Sequence, residues 1–149
     1  MEQQNPDRTE TATAVLTIIP LTMRLVAAEL RQLERPIMPP QLMVLNLLFQ
    51  EGAKNLTQLA ESSAVSLPTM SGTIKTLVKE RFVQRTRSET DRRIVLLEIT
   101  PEGAQFIETI GQKIVARMAT LLEIFTEEEL HQIWSGLMVF QRALTHQSS

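Results

Sequence analysis

Asn55–Glu80 reads NLTQLAESSAVSLPTMSGTIKTLVKE. Two short helical patterns lie in it, with a tight turn between them. Asn55 is a side-chain cap for the first, and Leu56, Leu59 and Ala60 form its inward face. Ala64-Val65-Ser66 is the turn. Ser66 caps the second helix, which runs to about Glu80. Pro68 sits early in it, where a backbone amide has no helical partner to lose. Met70, Ile74, Leu77 and Val78 recur on one face. Two short helices so joined fit a helix-turn-helix.

Downstream the period changes. Val83, Arg85 and Arg87 alternate with Gln84 and Thr86, Ser88–Arg92 is a polar turn, and Arg93–Ile99 is a second β-rich run. This predicts a hairpin. The turn lacks Asn-Gly and is longer than a two-residue loop. Thr100-Pro101-Glu102 then starts a helix carrying Phe106, Ile107, Ile110, Ile114, Val115, Met118, Leu121 and Leu122. Thr126 and Glu129 form a capping box for the last helix, with Phe125 and Leu130 as its hydrophobic staple. Its apolar face is Leu130, Ile133, Trp134, Leu137, Met138 and Leu144.

Upstream, the first eight or so residues read as a frayed tail. Thr9–Arg35 carries Val15, Ile18, Ile19, Leu25, Val26, Leu30 and Leu33 at helical spacing. Pro20 predicts a kink in it, and Pro36 ends it. Pro39 and Pro40 open a second helix with Leu42, Val44, Leu45, Leu47, Leu48 and Phe49, stopped at Gly52. It is apolar nearly all round, so it is expected at the buried centre.

The chain has 149 residues, no cysteine and a net charge of −2. The length suits one domain with a core that needs no disulfide or metal. Without cysteine there is no disulfide framework, thiol nucleophile, thiol redox switch or thiolate metal site. The polar, acidic start is no secretory signal, and the longest nearly apolar stretch, Val15–Met23, is too short for a span of about 20 residues. No membrane partner and a cytoplasmic location are expected. His131 and His146 are fifteen apart and make no metal site. There is no phosphate-binding glycine loop, HExxH or Gly-x-Ser-x-Gly, and Glu127-Glu128-Glu129 reads as a helix start rather than an acid/base pair. An enzyme is not expected, and no cofactor.

The weak net charge conceals a segregated one. Lys54–Arg93 holds eight basic and four acidic residues, net +4, and the remainder is −6. A basic helix-turn-helix with a hairpin, in an acidic remainder, is the electrostatic footprint of a DNA-binding module.

These residues resemble the MarR family of winged helix-turn-helix regulators. The resemblance runs from Gln41 to Gly103, through Gln41-Leu42-Met43-Val44-Leu45, Leu59-Ala60-Glu61, Val65-Ser66, the helix ending at Leu77, and Val83-Gln84-Arg85. It is most specific at Arg85, at Asp91-Arg92-Arg93, and at Ile99-Thr100-Pro101-Glu102-Gly103, which stands where the family has Leu-Thr-x-x-Gly. The resemblance implies a mainly α fold with a small β-hairpin wing, a winged helix-turn-helix flanked by N- and C-terminal dimerisation helices. It implies a homodimer placing a recognition helix in the major groove and a wing in the minor groove of double-stranded DNA. Most members repress transcription. A small-molecule effector, often bound between the dimer helices and the DNA-reading part, weakens operator binding. On this chain the expectation is a single domain over 1–149, with 36–100 as the DNA-reading part and 9–35 and 101–147 as dimerisation helices. The apolar faces of those flanking helices exceed what one small core covers, as interface patches do.

On the recognition helix the exposed candidates for DNA contact are Pro68, Thr69, Ser71, Gly72, Lys75, Thr76 and Lys79, the two lysines toward phosphates. On the wing they are Arg85, Arg87, Asp91, Arg92 and Arg93. Arg93 is the minor-groove candidate, and Asp91 the group that holds a neighbouring arginine. The operator is expected to be pseudo-palindromic, with half-sites about one helical turn apart. Arg24 and Arg31 are candidate anion partners for an effector, or salt-bridge residues. Three departures from the family stand out: Gly72 where members often carry a larger polar or basic residue, Arg81-Phe82 for Gly-Leu, and Met38-Pro39-Pro40 for a Leu-Thr start. The alternative reading is a winged-helix module that docks another protein without touching DNA.

Overall fold

A computed structural model describes residues 6–145; residues 1–5 of the expected eight-residue tail, and His146, lie outside the described residues, whereas Asp7 and Arg8 of that tail instead cap and begin the first helix. The elements are α1 (Arg8–Arg31), α2 (Pro39–Glu51), α3 (Leu56–Ser62), α4 (Leu67–Lys79), β1 (Val83–Arg87), β2 (Val95–Ile99), α5 (Pro101–Leu122) and α6 (Glu127–Thr145). They form two compact units, one up to Gln112 and one from Lys113.

In the first unit α1 is capped by a reciprocal pair. Asp7 accepts the Glu10 amide at 2.8 Å, and Glu10 accepts the Asp7 amide at 2.9 Å. The helix runs unbroken through Pro20 but ends at Arg31, short of the expected Arg35. Pro36 disfavours helical backbone at Arg35, and the Arg35 side chain is engaged elsewhere, as described below. By length and composition α1 is apolar enough to cross a membrane: an 18-residue stretch of it has mean hydropathy 1.6 and no buried residue. The short stretch Val15–Met23 therefore understated its apolar character.

The core lies under α2 and the helix-turn-helix. Val44, Leu45 and Leu48 of α2, Leu59 and Ala60 of α3, Met70, Ile74 and Leu77 of α4, and Val83 and Leu97 of the hairpin are all buried, with α2 packed on α4 and β2, and α3 on α4. Leu30, Ile37, Phe82, Ile107 and Ile110 are buried with them. Helix α2 is not buried all round: Met43 and Phe49 are exposed. Its start has no side-chain cap at Met38, but Gln41 Oε1 accepts the Met38 amide at 2.7 Å. Gly52 closes it with φ 78°, a backbone that glycine adopts without strain.

Strands β1 and β2 are antiparallel, in register from Val83↔Ile99 to Arg87↔Val95. Lys54 adds an isolated bridge to Leu97, donating its amide at 3.1 Å and accepting one at 2.8 Å. The expected hairpin thus has a one-residue third neighbour on β2, for which no sequence period exists.

The junction between α4, β1 and α5 is tight. Thr100 donates its hydroxyl to the Arg81 carbonyl at 2.7 Å and accepts the Gly103 amide at 3.0 Å. Its own amide donates to the Phe82 carbonyl at 2.9 Å. Phe82 is buried and stacks on Phe106, with ring centroids 4.1 Å apart. Where the family pattern has glycine, Arg81 takes φ 63°. A side chain costs about 1 kcal/mol or more in that left-handed conformation. Arg81→Gly is expected to stabilise the chain by about 1 kcal/mol, raising its melting temperature by about 2–4 °C in a thermal melt.

In the second unit α6 starts as read from the sequence: Glu129 accepts both the amide and the hydroxyl of Thr126, at 2.8 and 3.0 Å. These bonds hold the Glu129 carboxyl below its ordinary value, the backbone bond most strongly. No described residue of α6 is buried, and Trp134, Leu137, Val139 and Leu144 are all well exposed.

Candidate nucleic-acid interface

Ser66 accepts the Thr69 amide at 3.3 Å, so α4 begins with its positive end capped and its first turn fixed. Met70, Ile74 and Leu77 turn into the core. Leu67, Pro68, Thr69, Ser71, Gly72, Lys75, Thr76 and Lys79 therefore face outward, all exposed. Every recognition-helix residue singled out from the sequence lies on this outer surface. Leu67 was missed there, because an isolated leucine at a helix start carries no periodic signal.

The hydroxyls of α4 are largely engaged within the helix. Thr69 Oγ1 lies 2.8 Å from Ser66 Oγ, Thr73 donates to the Thr69 carbonyl at 3.2 Å, and Thr76 donates to the Gly72 carbonyl at 3.3 Å. Around Gly72 there is open space: a Cβ built there meets nothing within 4 Å.

On the hairpin, Arg85 and Arg87 share the face that Val83 buries, two residues apart on an extended strand. Both are exposed, because the hairpin runs out beyond the core. The loop over residues 88–94 is ordered by its own polar groups. Ser88 Oγ accepts the Thr90 and Asp91 amides, and the Asp91 carbonyl accepts the Ile94 amide at 2.9 Å. Asp91 Oδ1 accepts the Arg93 amide at 3.0 Å and lies 3.6 Å from Arg93 Nε. The aspartate thus touches the arginine two residues on, whose side chain is 95% exposed. Arg92 is exposed beside it.

The charge at this surface is unbalanced. Among the described residues, Lys75, Lys79, Arg81, Arg85, Arg87 and Arg92 have no carboxylate within ion-pair distance. Lys54 is paired with Glu51 at 2.9 Å. The acid nearest the end of α4, Glu80, is occupied by Arg35 at 3.3 Å. Arg35 also binds Glu102 and the Glu80 carbonyl and lies 4.3 Å over the Phe82 ring. Its pKa is raised, chiefly by the Glu102 hydrogen bond. Sequence reading did not find this arginine, which no local motif marks.

Arg24 and Arg31 are exposed on α1. A depression on that helix is lined by Thr9, Glu10, Thr13, Ala14, Thr17 and Ile18, and neither arginine borders it. Among the described residues no three potential ligands gather to hold a metal ion.

The family model that matches this chain is that of the MarR family, over residues 37–95, from two residues before α2 to the start of β2. A relative, the uncharacterised HTH-type transcriptional regulator YfiV of Bacillus subtilis, is 32% identical over 105 residues, covering 70% of this chain and 66% of that one. The chain belongs to the MarR family. Solved structures agree on the fold of this MarR-family chain. A MarR family protein from Bacillus stearothermophilus superposes with a TM-score of 0.79 at 23% identity, covering 92% of this chain and 94% of that one. Streptococcus pneumoniae FabT, crystallised in complex with DNA, gives 0.73 at 20% identity, covering 94% and 99%. The mainly helical fold with a two-stranded hairpin is thus the family's winged helix.

Proposed function

We propose that this MarR-family chain is a sequence-specific DNA-binding regulator of transcription. The observation that carries the reading is the row of cations without carboxylate partners along α4 and the hairpin. Such a surface attracts a polyanion, which displaces the small counterions that otherwise screen it. DNA supplies phosphates at the spacing of a helix lying in the major groove, with the hairpin over the adjacent minor groove. Residues 36–100 are the reading part, and the cytoplasm is where it meets DNA.

The working unit in this reading is a homodimer on a pseudo-palindromic operator. The exposed apolar residues of α1 (Leu16, Ile18, Ile19, Leu21) and of α6 (Trp134, Leu137, Val139) need cover. A second copy offers an identical surface, as a two-fold interface requires. Light scattering at micromolar concentration should give twice the 16.9 kDa of the chain. The regulator acts as a repressor, released by a small-molecule effector, the commoner mode among proteins it resembles.

The decisive experiment is a mobility-shift titration across salt concentrations. Affinity should fall with a log–log slope near about −0.9 for each phosphate contacted. Arg93→Ala should weaken binding several-fold and leave the circular dichroism unchanged, because the side chain is 95% exposed and its ion-pair partner among the described residues is Asp91, two positions away. Absence of any shifted fragment at about 0.1 M salt overturns the proposal.

A further inference from the structure

The outer face of α4 carries very little of the chemistry that reads bases by hydrogen bonds. Arginine and lysine read guanine, asparagine and glutamine read adenine, and acids read cytosine. Over Leu67–Lys79 there is no arginine, asparagine, glutamine, histidine, aspartate or glutamate. The two lysines stand in the second half of the helix. Lys75 is eight residues past Leu67, about 12 Å along the axis, and Lys79 lies further still. The threonine hydroxyls are engaged with the helix itself, which leaves Ser71 as the hydroxyl without an internal partner.

The leading end of the helix is apolar instead. Leu67 is 47% exposed and Val65 38%, with Pro68 exposed beside them. Behind them Gly72 presents bare backbone to open space. This apolar tip is flanked by uncompensated cations on the same helix and on the hairpin, so a polyanion must bring its apolar occupant. Thymine is the base that offers one in the major groove, its 5-methyl group.

We propose that Leu67, with Val65 and Pro68, reads thymine 5-methyl groups, and that this apolar contact is the main source of base preference in α4. The inference rests on the DNA-binding reading above. Gly72 lets the helix backbone approach the groove floor closely enough for these short side chains to reach. Lys75 and Lys79 then lie over phosphates and fix register without selecting bases.

The test uses a fragment that the full-length chain enriches from a random-sequence DNA pool. That fragment is resynthesised with deoxyuridine for each thymidine, which removes the methyl groups and keeps every hydrogen-bonding edge. Loss of affinity of about fourfold per contacted methyl is expected, so tenfold or more for two in a half-site. Leu67→Ser should weaken binding to the thymidine fragment and abolish most of the difference between the two fragments. Equal affinity of the native chain for both fragments overturns this inference while leaving DNA binding intact. Failure to enrich any fragment overturns the DNA-binding reading itself. Leu67 lies half in solvent at the first position of the helix, so its replacement tests recognition rather than folding. The uridine comparison needs no variant at all.

Discussion

Gly103→Ala is expected to destabilise the folded chain by about 3 kcal/mol, lowering its melting temperature by about 6–12 °C. The added Cβ would lie 2.3 Å from the Phe82 carbonyl oxygen and 2.9 Å from Ile99 Cγ1. Neither neighbour can yield cheaply. The Phe82 carbonyl accepts the Thr100 amide, and its ring is buried in the stack on Phe106. Gly103 is itself buried and gives its amide to Thr100. Relief requires α5 to lift from the end of α4, which breaks the Thr100 bonds as well. Gly111 is the control on the same helix. Nothing lies within 4 Å of a Cβ there, so Gly111→Ala should instead gain up to about 1 kcal/mol of helix propensity. Thermal melts of the two variants should move in opposite directions. Similar small shifts for both would show that α5 does not press on Phe82 as described.

Most of the fold was legible because its signals are local. Asn55, Ser66 and Thr126 each sit just before a helical period and each accepts the predicted amide. The inner face of α4 and the change of period at Val83 follow the same logic, since one buried face imposes one spacing. The elements that differed are those decided by distant residues. Helix α1 stops at Arg31 where the following turn carries Arg35 to Glu80 and Glu102. The Lys54 bridge exists because β2 leaves an edge open there, not because of any pattern around Lys54.

The candidate site divides along the same line. Exposure of the recognition-helix residues was readable, because a helix with one buried stripe presents the rest. The Asp91–Arg93 contact was readable too, being a two-residue turn. The state of the hydroxyls was not: Thr69, Ser71 and Thr76 look alike in sequence, yet Thr69 joins the cap and Thr76 bonds back to Gly72. The missing glycine marked Arg81 as a departure in the sequence, and the position takes φ 63°, a left-handed backbone that glycine adopts without strain. Whether the exposed candidates touch DNA is decided by the titrations proposed above.

The second large effect is expected at Arg35. Its guanidinium joins three parts of the first unit: the α1–α2 turn, the end of α4 through the Glu80 carbonyl and carboxylate, and the start of α5 through Glu102. Its flat face lies over Phe82, 4.3 Å from the ring centre. The two ion pairs are 38–51% exposed on the acid side and contribute little by themselves. The bond to the Glu80 carbonyl and the cation–π contact are the larger parts, and together they set the cost of Arg35→Ala at about 2 kcal/mol. Lysine keeps the charge but lacks the planar fork, so Arg35→Lys should recover less than half of the loss. One molar salt should change the difference between native and Arg35→Ala only slightly, because screening acts on the exposed ion pairs and leaves the stacked contact. Removing Arg35 also frees the Glu80 carboxylate at the end of α4, beside Lys79 and Arg81. DNA affinity should therefore fall more than the loss of stability explains, measured where both proteins are fully folded. Full rescue of stability by lysine would mean that charge alone, and not the fork over Phe82, holds the end of α4 to α5.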